Sequence, residues 1–152
     1  MICMTMIPDT SAREAFRRLD YLVVEDMPAI RRVLTKMLRG LGVKGRIDSA
    51  GDGVEAWEMM QGCNYDIVIC DVCMPRMTGL ELKKLMRDSP RFRETPFLMV
   101  TGEVSAELPP LAVEGKFDGY LFKPFHSAML EKWLIKLVEL LKGAGLLAPK
   151  NR

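Results

Sequence analysis

The sequence predicts an α/β domain in which helices cover both faces of a five-stranded parallel sheet. Short, mostly apolar runs alternate along the chain with amphipathic stretches. Continuous apolar runs are typical of strands buried on both faces, and helices between such runs favour parallel connections. The predicted strands are residues 21–24, 46–50, 66–70, 97–100 and 119–122. We therefore expect a doubly wound sheet, which binds its ligands at the carboxyl ends of the strands.

Helices are predicted between these strands because apolar residues recur there at helical spacing. The spacing predicts that Val33 and Leu85 face the core together with their apolar neighbours. Pro28 suits the first turn of a helix, and Asp52 and Thr78 are suited to N-cap positions. The predicted helices are residues 28–39, 53–61, 79–87 and 127–142.

Length and composition favour one globular domain without a nucleic-acid or membrane role. The chain has 152 residues, of which 49% are hydrophobic and 28% charged, as in ordinary soluble domains. The net charge of +2 is too small to indicate direct DNA binding. No apolar run approaches the roughly 20 residues of a membrane span. The start lacks a basic segment and an uninterrupted apolar stretch, so we expect no export signal and a cytoplasmic location.

The four cysteines leave two interpretations open. Cys70 and Cys73 form a C-x-x-C pair, a spacing that occurs in redox proteins. Pro75 follows within two residues, where a redox motif would open a helix. Zinc would need more ligands, and His126 is the one histidine. Small packing residues are the simpler interpretation, with a redox sensor as the alternative.

Polar residues stand at the carboxyl ends of four predicted strands. Because the carboxyl ends of parallel strands share one edge of the sheet, we expect these side chains to converge. They are Glu25, Asp26, Asp71, Thr101 and Lys123.

The charges of this predicted site indicate a divalent cation. Three carboxylates and Lys123 leave a net charge of −2, which one divalent ion neutralises. Oxygen ligands favour Mg²⁺, with Mn²⁺ as a substitute, over zinc or copper. A metal beside a carboxylate suggests phosphoryl transfer to that carboxylate.

Taken together, the motifs resemble the receiver domain of bacterial two-component response regulators. The matching segments are LVVEDMPAIRRVL, AGDGVEAWEMM, DIVICDVCMPRMTGLEL, PFLMVTGE and GYLFKPF. They follow one another in the family's order over residues 19–142, and the stand-alone chemotaxis-like receivers are the most similar type. The resemblance implies a flavodoxin-like (βα)5 fold with strand order 2-1-3-4-5.

The resemblance also implies a role for each site residue. Asp71 would accept a phosphoryl group from a histidine kinase or a small acyl phosphate, assisting its own phosphorylation and dephosphorylation. The metal would be held by Glu25, Asp26, Asp71 and the backbone carbonyl of Cys73. The family more often has Asp where Glu25 stands.

The remaining implied roles concern the response to phosphorylation. Thr101 and Lys123 would contact phosphoryl oxygens, and the Lys123–Pro124 peptide bond would be cis. Tyr120 would be the switch aromatic, which turns inward when Thr101 moves toward the phosphate. A phosphoryl group adds about −1.5 to −2 of charge and strong acceptor oxygens, so a local event changes a two-state surface.

The chain departs from the family between the fourth and fifth strands. Pro109–Pro110 falls inside the family's fourth helix, where a proline costs about 3 kcal/mol. We expect that helix to be disrupted or shortened, which leaves transfer of a specific output partner open. Residues 1–18 form an N-terminal extension with helical spacing over 11–19. It either packs on the receiver, mediates self-association or is unstructured, and residues 143–152 form a tail.

Three functions from different classes remain in view. The first is a single-domain response regulator switched at Asp71, a monomer or homodimer with a sensor histidine kinase as phosphodonor; the sequence identifies no downstream target. The second is a phosphate-independent interaction protein with a receiver-like fold. The third is a Mg²⁺-dependent phosphatase of the haloacid dehalogenase type, which needs a second Asp where this chain has Cys73.

Overall fold

A parallel five-stranded sheet forms the centre of the molecule. The computed structural model describes residues 8–102 and 115–147. The strand order is β2-β1-β3-β4-β5, with every neighbouring pair parallel, so the predicted fold class and strand order are confirmed. The strands are β1 Tyr21–Val24, β2 Ile47–Ala50, β3 Ile67–Asp71, β4 Phe97–Thr101 and β5 Asp118–Phe122.

Five helices of the described chain pack on the sheet in two layers. They are α1 Pro8–Arg17, α2 Pro28–Gly40, α3 Gly53–Gly62, α4 Gly79–Arg87 and α5 Ser127–Gly143. One core cluster joins α1, α2 and α5 to one face of the sheet, and a second joins α3 and α4 to the other. This arrangement leaves the carboxyl edge of the strands for the loops that carry the polar residues.

The N-caps predicted for α3 and α4 are both present. The Asp52 side chain accepts a hydrogen bond from the Glu55 N–H at 2.8 Å. Thr78 forms a capping box with Glu81, in which each side chain accepts from the other residue's backbone N–H. Each cap satisfies donors that the first turn of a helix leaves free. The caps therefore set where α3 and α4 begin, directly beside the site.

The first helix is part of the core. Ala12, Phe16 and Leu19 are buried in the cluster that also contains the inner face of α5. The Tyr21 hydroxyl donates to the Phe16 carbonyl at 2.6 Å, and the Lys44 N–H donates to the Arg17 carbonyl at 2.7 Å. The helix covers Pro8–Arg17, earlier than the spacing over 11–19 predicts, because a proline is accommodated in a first turn.

Two predicted core positions are wrong. Val33 is 48% exposed and Leu85 is 37% exposed, whereas Lys83 beside Leu85 is buried. The Lys83 ammonium lies 2.9 Å from the Asp118 carboxylate, which Arg87 also contacts. A charge is buried at this place because it is paired, and apolar spacing alone does not contain that information.

The predicted disruption at Pro109–Pro110 lies outside the described residues. No helix within residues 8–102 and 115–147 is both long and apolar enough to cross a bilayer.

Candidate functional site

Three carboxylates meet at the carboxyl edge of the sheet. Val24 ends β1 and pairs with Cys70, so the register places Glu25 beside Asp71. Carboxylate oxygens of Glu25, Asp26 and Asp71 all lie within 4.8 Å of one another. Glu25 and Asp71 are buried, and Asp26 is exposed. The structure therefore brings together the carboxylates that follow β1 and the one that ends β3.

Lys123 is the cation of this cluster. Its Nζ lies 3.1 Å from Glu25 Oε1 and 3.8 Å from Asp71 Oδ2. The Lys123 N–H donates to the Thr101 carbonyl at 2.7 Å, which joins the ends of β4 and β5. Thr101 is buried, and the Lys123–Pro124 peptide bond is cis, as the family resemblance implies. The structure thus places Thr101 and Lys123 at the same edge as the carboxylates.

Burial raises the pKa of Glu25 to about 7. A hydrogen bond with Asp26 and the charge of Asp71 also raise this pKa, while the hydrogen bond from Lys123 lowers it. Like charges at about 5 Å repel by roughly 3 kcal/mol at an effective dielectric of 20. Near neutral pH Glu25 is therefore more readily protonated than an ordinary glutamate, and added positive charge would favour its ionised form.

The pKa of Asp71 is also raised, chiefly by burial. The Lys123 charge, a hydrogen bond with Glu25 and the backbone N–H groups of Val72 and Cys73 oppose that rise. These groups favour the ionised form of a carboxylate that is partly removed from water. Asp71 is thus a buried carboxylate with a cation and two backbone donors directed to its oxygens.

The β3–α4 loop (residues 72–78) turns sharply behind Asp71. The Gly79 N–H donates to the Val72 carbonyl at 2.9 Å. A Cβ at Gly79 would overlap the Asp71 carbonyl oxygen, so only glycine fits at this position. Cys73 is exposed on the same loop. The loop therefore carries the predicted carbonyl ligand two residues beyond the buried carboxylate.

Tyr120 lies in the middle of β5, three residues before Lys123. Its ring meets Phe122 edge-on with centroids 5.2 Å apart and tilts against Trp133 at 6.0 Å. Trp133 also leaves no space for a side chain at Gly119. The predicted switch residue thus belongs to an aromatic group between β5 and α5.

Two further residues near the site, Arg31 and Arg76, were missed by the sequence analysis. Arg31 Nη1 donates to the Glu25 carbonyl at 2.6 Å, although helical spacing indicates only that Arg31 does not face the core. Arg76 forms a bidentate ion pair with Asp52. The opposite charges of Asp52 and Arg76 were the available signal, which becomes meaningful only when the topology brings their loops together.

The cysteines do not form a disulfide with each other in the described chain. Cys63, Cys70 and Cys73 are each present as a thiol rather than in a disulfide. Complete burial raises the pKa of the Cys70 thiol well above its usual value, which disfavours the reactive thiolate. Packing is thus the role of Cys70 that the structure supports.

Comparison with known proteins identifies the family. The response regulator receiver domain matches residues 21–135. The chain belongs to this family. Receiver domains are phosphoacceptors that take phosphoryl groups from histidine kinases in two-component signalling, and the predicted resemblance is confirmed.

Individual relatives of this receiver include chemotaxis proteins. The chain is 34% identical over 122 residues to the chemotaxis protein CheY of Pseudomonas aeruginosa, covering 80% of this chain and 98% of that one. Chemotaxis protein CheY4 of Vibrio cholerae superimposes with a TM-score of 0.71 at 34% identity, covering 79% and 98% of the two chains.

A third relative is the receiver domain of a sensor histidine kinase from Pseudomonas aeruginosa. It superimposes with a TM-score of 0.71 at 26% identity and covers 80% of this receiver and 98% of that domain. That structure has a magnesium ion coordinated in its active-site cleft. Metal binding in the cleft is thus a property of a homologous receiver.

Proposed function

We propose that this receiver acts as a single-domain response regulator whose Asp71 accepts a phosphoryl group from a sensor histidine kinase. The observation that carries the proposal is the placement of Asp71 among two further carboxylates and Lys123. The chain covers 98% of the length of its Pseudomonas chemotaxis relative, so the similarity extends over nearly the whole of that protein.

The transfer step follows from the position of the Asp71 carboxylate. One of its oxygens forms a bond to phosphorus while the bond from phosphorus to the donor's histidine nitrogen breaks, and the electron pair of that bond stays on the imidazole. The product is an acyl phosphate on Asp71. Lys123 lies 3.8 Å from Asp71 Oδ2 and would stabilise the charge on the phosphoryl oxygens.

Oxygen ligands of the acidic cluster fit a hard divalent cation. Glu25, Asp26, Asp71 and the Cys73 carbonyl would hold Mg²⁺, or Mn²⁺ in its place. When bound, the ion supplies positive charge that offsets the carboxylates and the incoming phosphoryl group. Binding would release the proton that Glu25 holds because its pKa is raised, since a ligating carboxylate must be ionised.

Thr101 and Tyr120 would convert phosphorylation into a surface change. The Thr101 hydroxyl donates to a phosphoryl oxygen after moving toward it, and the space that it leaves accepts the Tyr120 ring. Tyr120 would then separate from Phe122 and Trp133, which changes the surface formed by β5 and α5. The Lys123–Thr101 backbone hydrogen bond supports a coupled movement of the two strand ends.

The competing chemistries are less well supported by the site. A phosphatase of the haloacid dehalogenase type needs a carboxylic acid two residues after its nucleophile, where this chain carries Cys73. A redox sensor needs two accessible thiols, and Cys70 is fully buried.

Intact mass spectrometry after incubation with acetyl phosphate tests the proposal. We expect the wild-type protein to gain one phosphoryl group in the presence of Mg²⁺ and none after chelation by EDTA. Asp71→Asn should gain none in either condition, since its amide cannot form the acyl phosphate.

The control variant is Asp66→Asn, which changes the same residue type at the opposite end of β3. It should be phosphorylated like the wild type. A wild-type protein that gains no phosphoryl group in any condition would refute the proposal and favour phosphate-independent binding of a partner.

A further inference from the structure

Arg76, at the tip of the β3–α4 loop, has an unusual backbone conformation. It is the one non-glycine residue of the described chain with a positive φ, at 66°. This left-handed region is unfavourable for a residue with a Cβ, and glycine enters it freely. Such backbone conformations cluster at functional sites, so the contacts of the Arg76 side chain bear on its role.

The Arg76 side chain forms an ion pair with Asp52 at the beginning of α3. Arg76 Nε donates to Asp52 Oδ2 at 2.8 Å, and Arg76 Nη2 donates to Asp52 Oδ1 at 3.1 Å. Asp52 is also the N-cap of α3, because Oδ1 accepts from the Glu55 N–H. The two parallel hydrogen bonds of a guanidinium fix both distance and orientation. Arg76 thus ties the loop to a helix end that is itself fixed.

The same loop carries two groups that serve the phosphoacceptor. The backbone N–H of Cys73 helps to keep Asp71 ionised, and the Cys73 carbonyl is the proposed backbone ligand of the metal. Met74 anchors the loop in the core. A Cβ at Gly53 would lie only 2.8 Å from Met77 Cβ, so Met77 packs closely on α3. Arg76 supplies the charged contact between these two apolar anchors.

We propose that Arg76 and Asp52 are positioning residues that hold the β3–α4 loop in the geometry required for Mg²⁺ binding and phosphoryl transfer at Asp71. This inference rests on the proposed function. The alternative is an ordinary exposed ion pair, which contributes little to a protein and would leave metal binding unchanged.

Arg76→Gly separates these two interpretations. Glycine adopts the positive φ without a steric penalty, so the melting temperature should stay within about 3 °C of the wild type. The ion pair between residue 76 and Asp52 is nevertheless lost. We expect Mg²⁺ affinity, measured by isothermal titration calorimetry, to fall about tenfold, the lower end of the range for residues that orient metal ligands.

Two further variants test whether Mg²⁺ affinity depends on the charge of Asp52 and on the two parallel hydrogen bonds of the Arg76 guanidinium. Asp52→Asn keeps an N-cap oxygen and removes the charge, so Mg²⁺ affinity should fall as in Arg76→Gly. The double variant should bind Mg²⁺ no more weakly than either single variant, because both remove one interaction. Arg76→Lys should restore only part of the affinity, since an ammonium cannot form both hydrogen bonds.

Arg91→Gly is the matched control. Arg91 is an exposed arginine that bonds Asn64 at the opposite edge of the sheet, so its loss should leave Mg²⁺ affinity at the wild-type value. Wild-type Mg²⁺ affinity in Arg76→Gly would overturn the positioning role of Arg76 and Asp52. It would not affect the proposal that Asp71 is the phosphoacceptor. A wild-type protein that binds no Mg²⁺ and takes no phosphoryl group would overturn both the proposed function and the positioning role of Arg76 and Asp52.

Discussion

Removal of the Phe16 side chain should destabilise the whole receiver. Phe16 is fully buried in the cluster shared by α1, α2 and α5, although it precedes the part of the chain that matches the family. Replacing a fully buried phenylalanine with alanine costs about 3–5 kcal/mol, because transfer energy is lost and a cavity remains. The hydrogen bond from Tyr21 to the Phe16 carbonyl survives, since it uses the backbone. The expected loss is therefore one of packing alone.

The size of the effect on melting follows from the chain length. Unfolding entropy of about 2.1 cal/mol/K per residue gives roughly 0.3 kcal/mol/K for the whole chain. Phe16→Ala should thus lower the melting temperature, followed by circular dichroism, by about 10–15 °C. Arg13→Ala changes an exposed residue of the same helix and should shift melting by only about 1–2 °C. Equal, small shifts in both variants would refute the conclusion that α1 is part of the core.

Two further predictions concern the carboxylate cluster and the loop behind it. Because the pKa of Glu25 is about 7 and Mg²⁺ needs the ionised carboxylate, apparent Mg²⁺ affinity should rise with pH up to about 8 and then level off. Calorimetric titrations between about pH 6 and pH 9 measure this dependence, and a pH-independent affinity would contradict the protonation of Glu25. Gly79→Ala places a methyl group against the Asp71 carbonyl and should abolish phosphorylation by acetyl phosphate. Gly62→Ala adds a methyl group in open space and should be phosphorylated normally, so equal activity of the two variants would contradict the steric argument.

The sheet and the carboxylate cluster were predictable because they depend on local patterns. Short apolar runs separated by helices predict a parallel sheet, and the polar residues at the ends of four of them predict one functional edge. Asp71 illustrates the precision of this inference. The prediction places it directly after its strand, and the structure places it as the last residue of β3.

Contacts between distant segments were not predictable in the same way. Lys83 is buried because Asp118, 35 positions later in the sequence, supplies its counter-charge, and the spacing of apolar residues on α4 contains no sign of it. The ion pair between Arg76 and Asp52 likewise depends on the left-handed backbone conformation of Arg76 and on two loops that the fold brings together. These features belong to the tertiary fold, which overrides local preference.

Reduction of the phosphorylated protein with borohydride identifies the acceptor residue most directly. Borohydride converts an aspartyl phosphate to homoserine, which peptide mass mapping locates in the sequence. After incubation with acetyl phosphate and Mg²⁺, we predict homoserine at position 71 and unchanged aspartate at position 26. Homoserine at another position, or an unaltered Asp71 peptide from protein that has gained a phosphoryl group, would contradict the assignment of Asp71 as the phosphoacceptor.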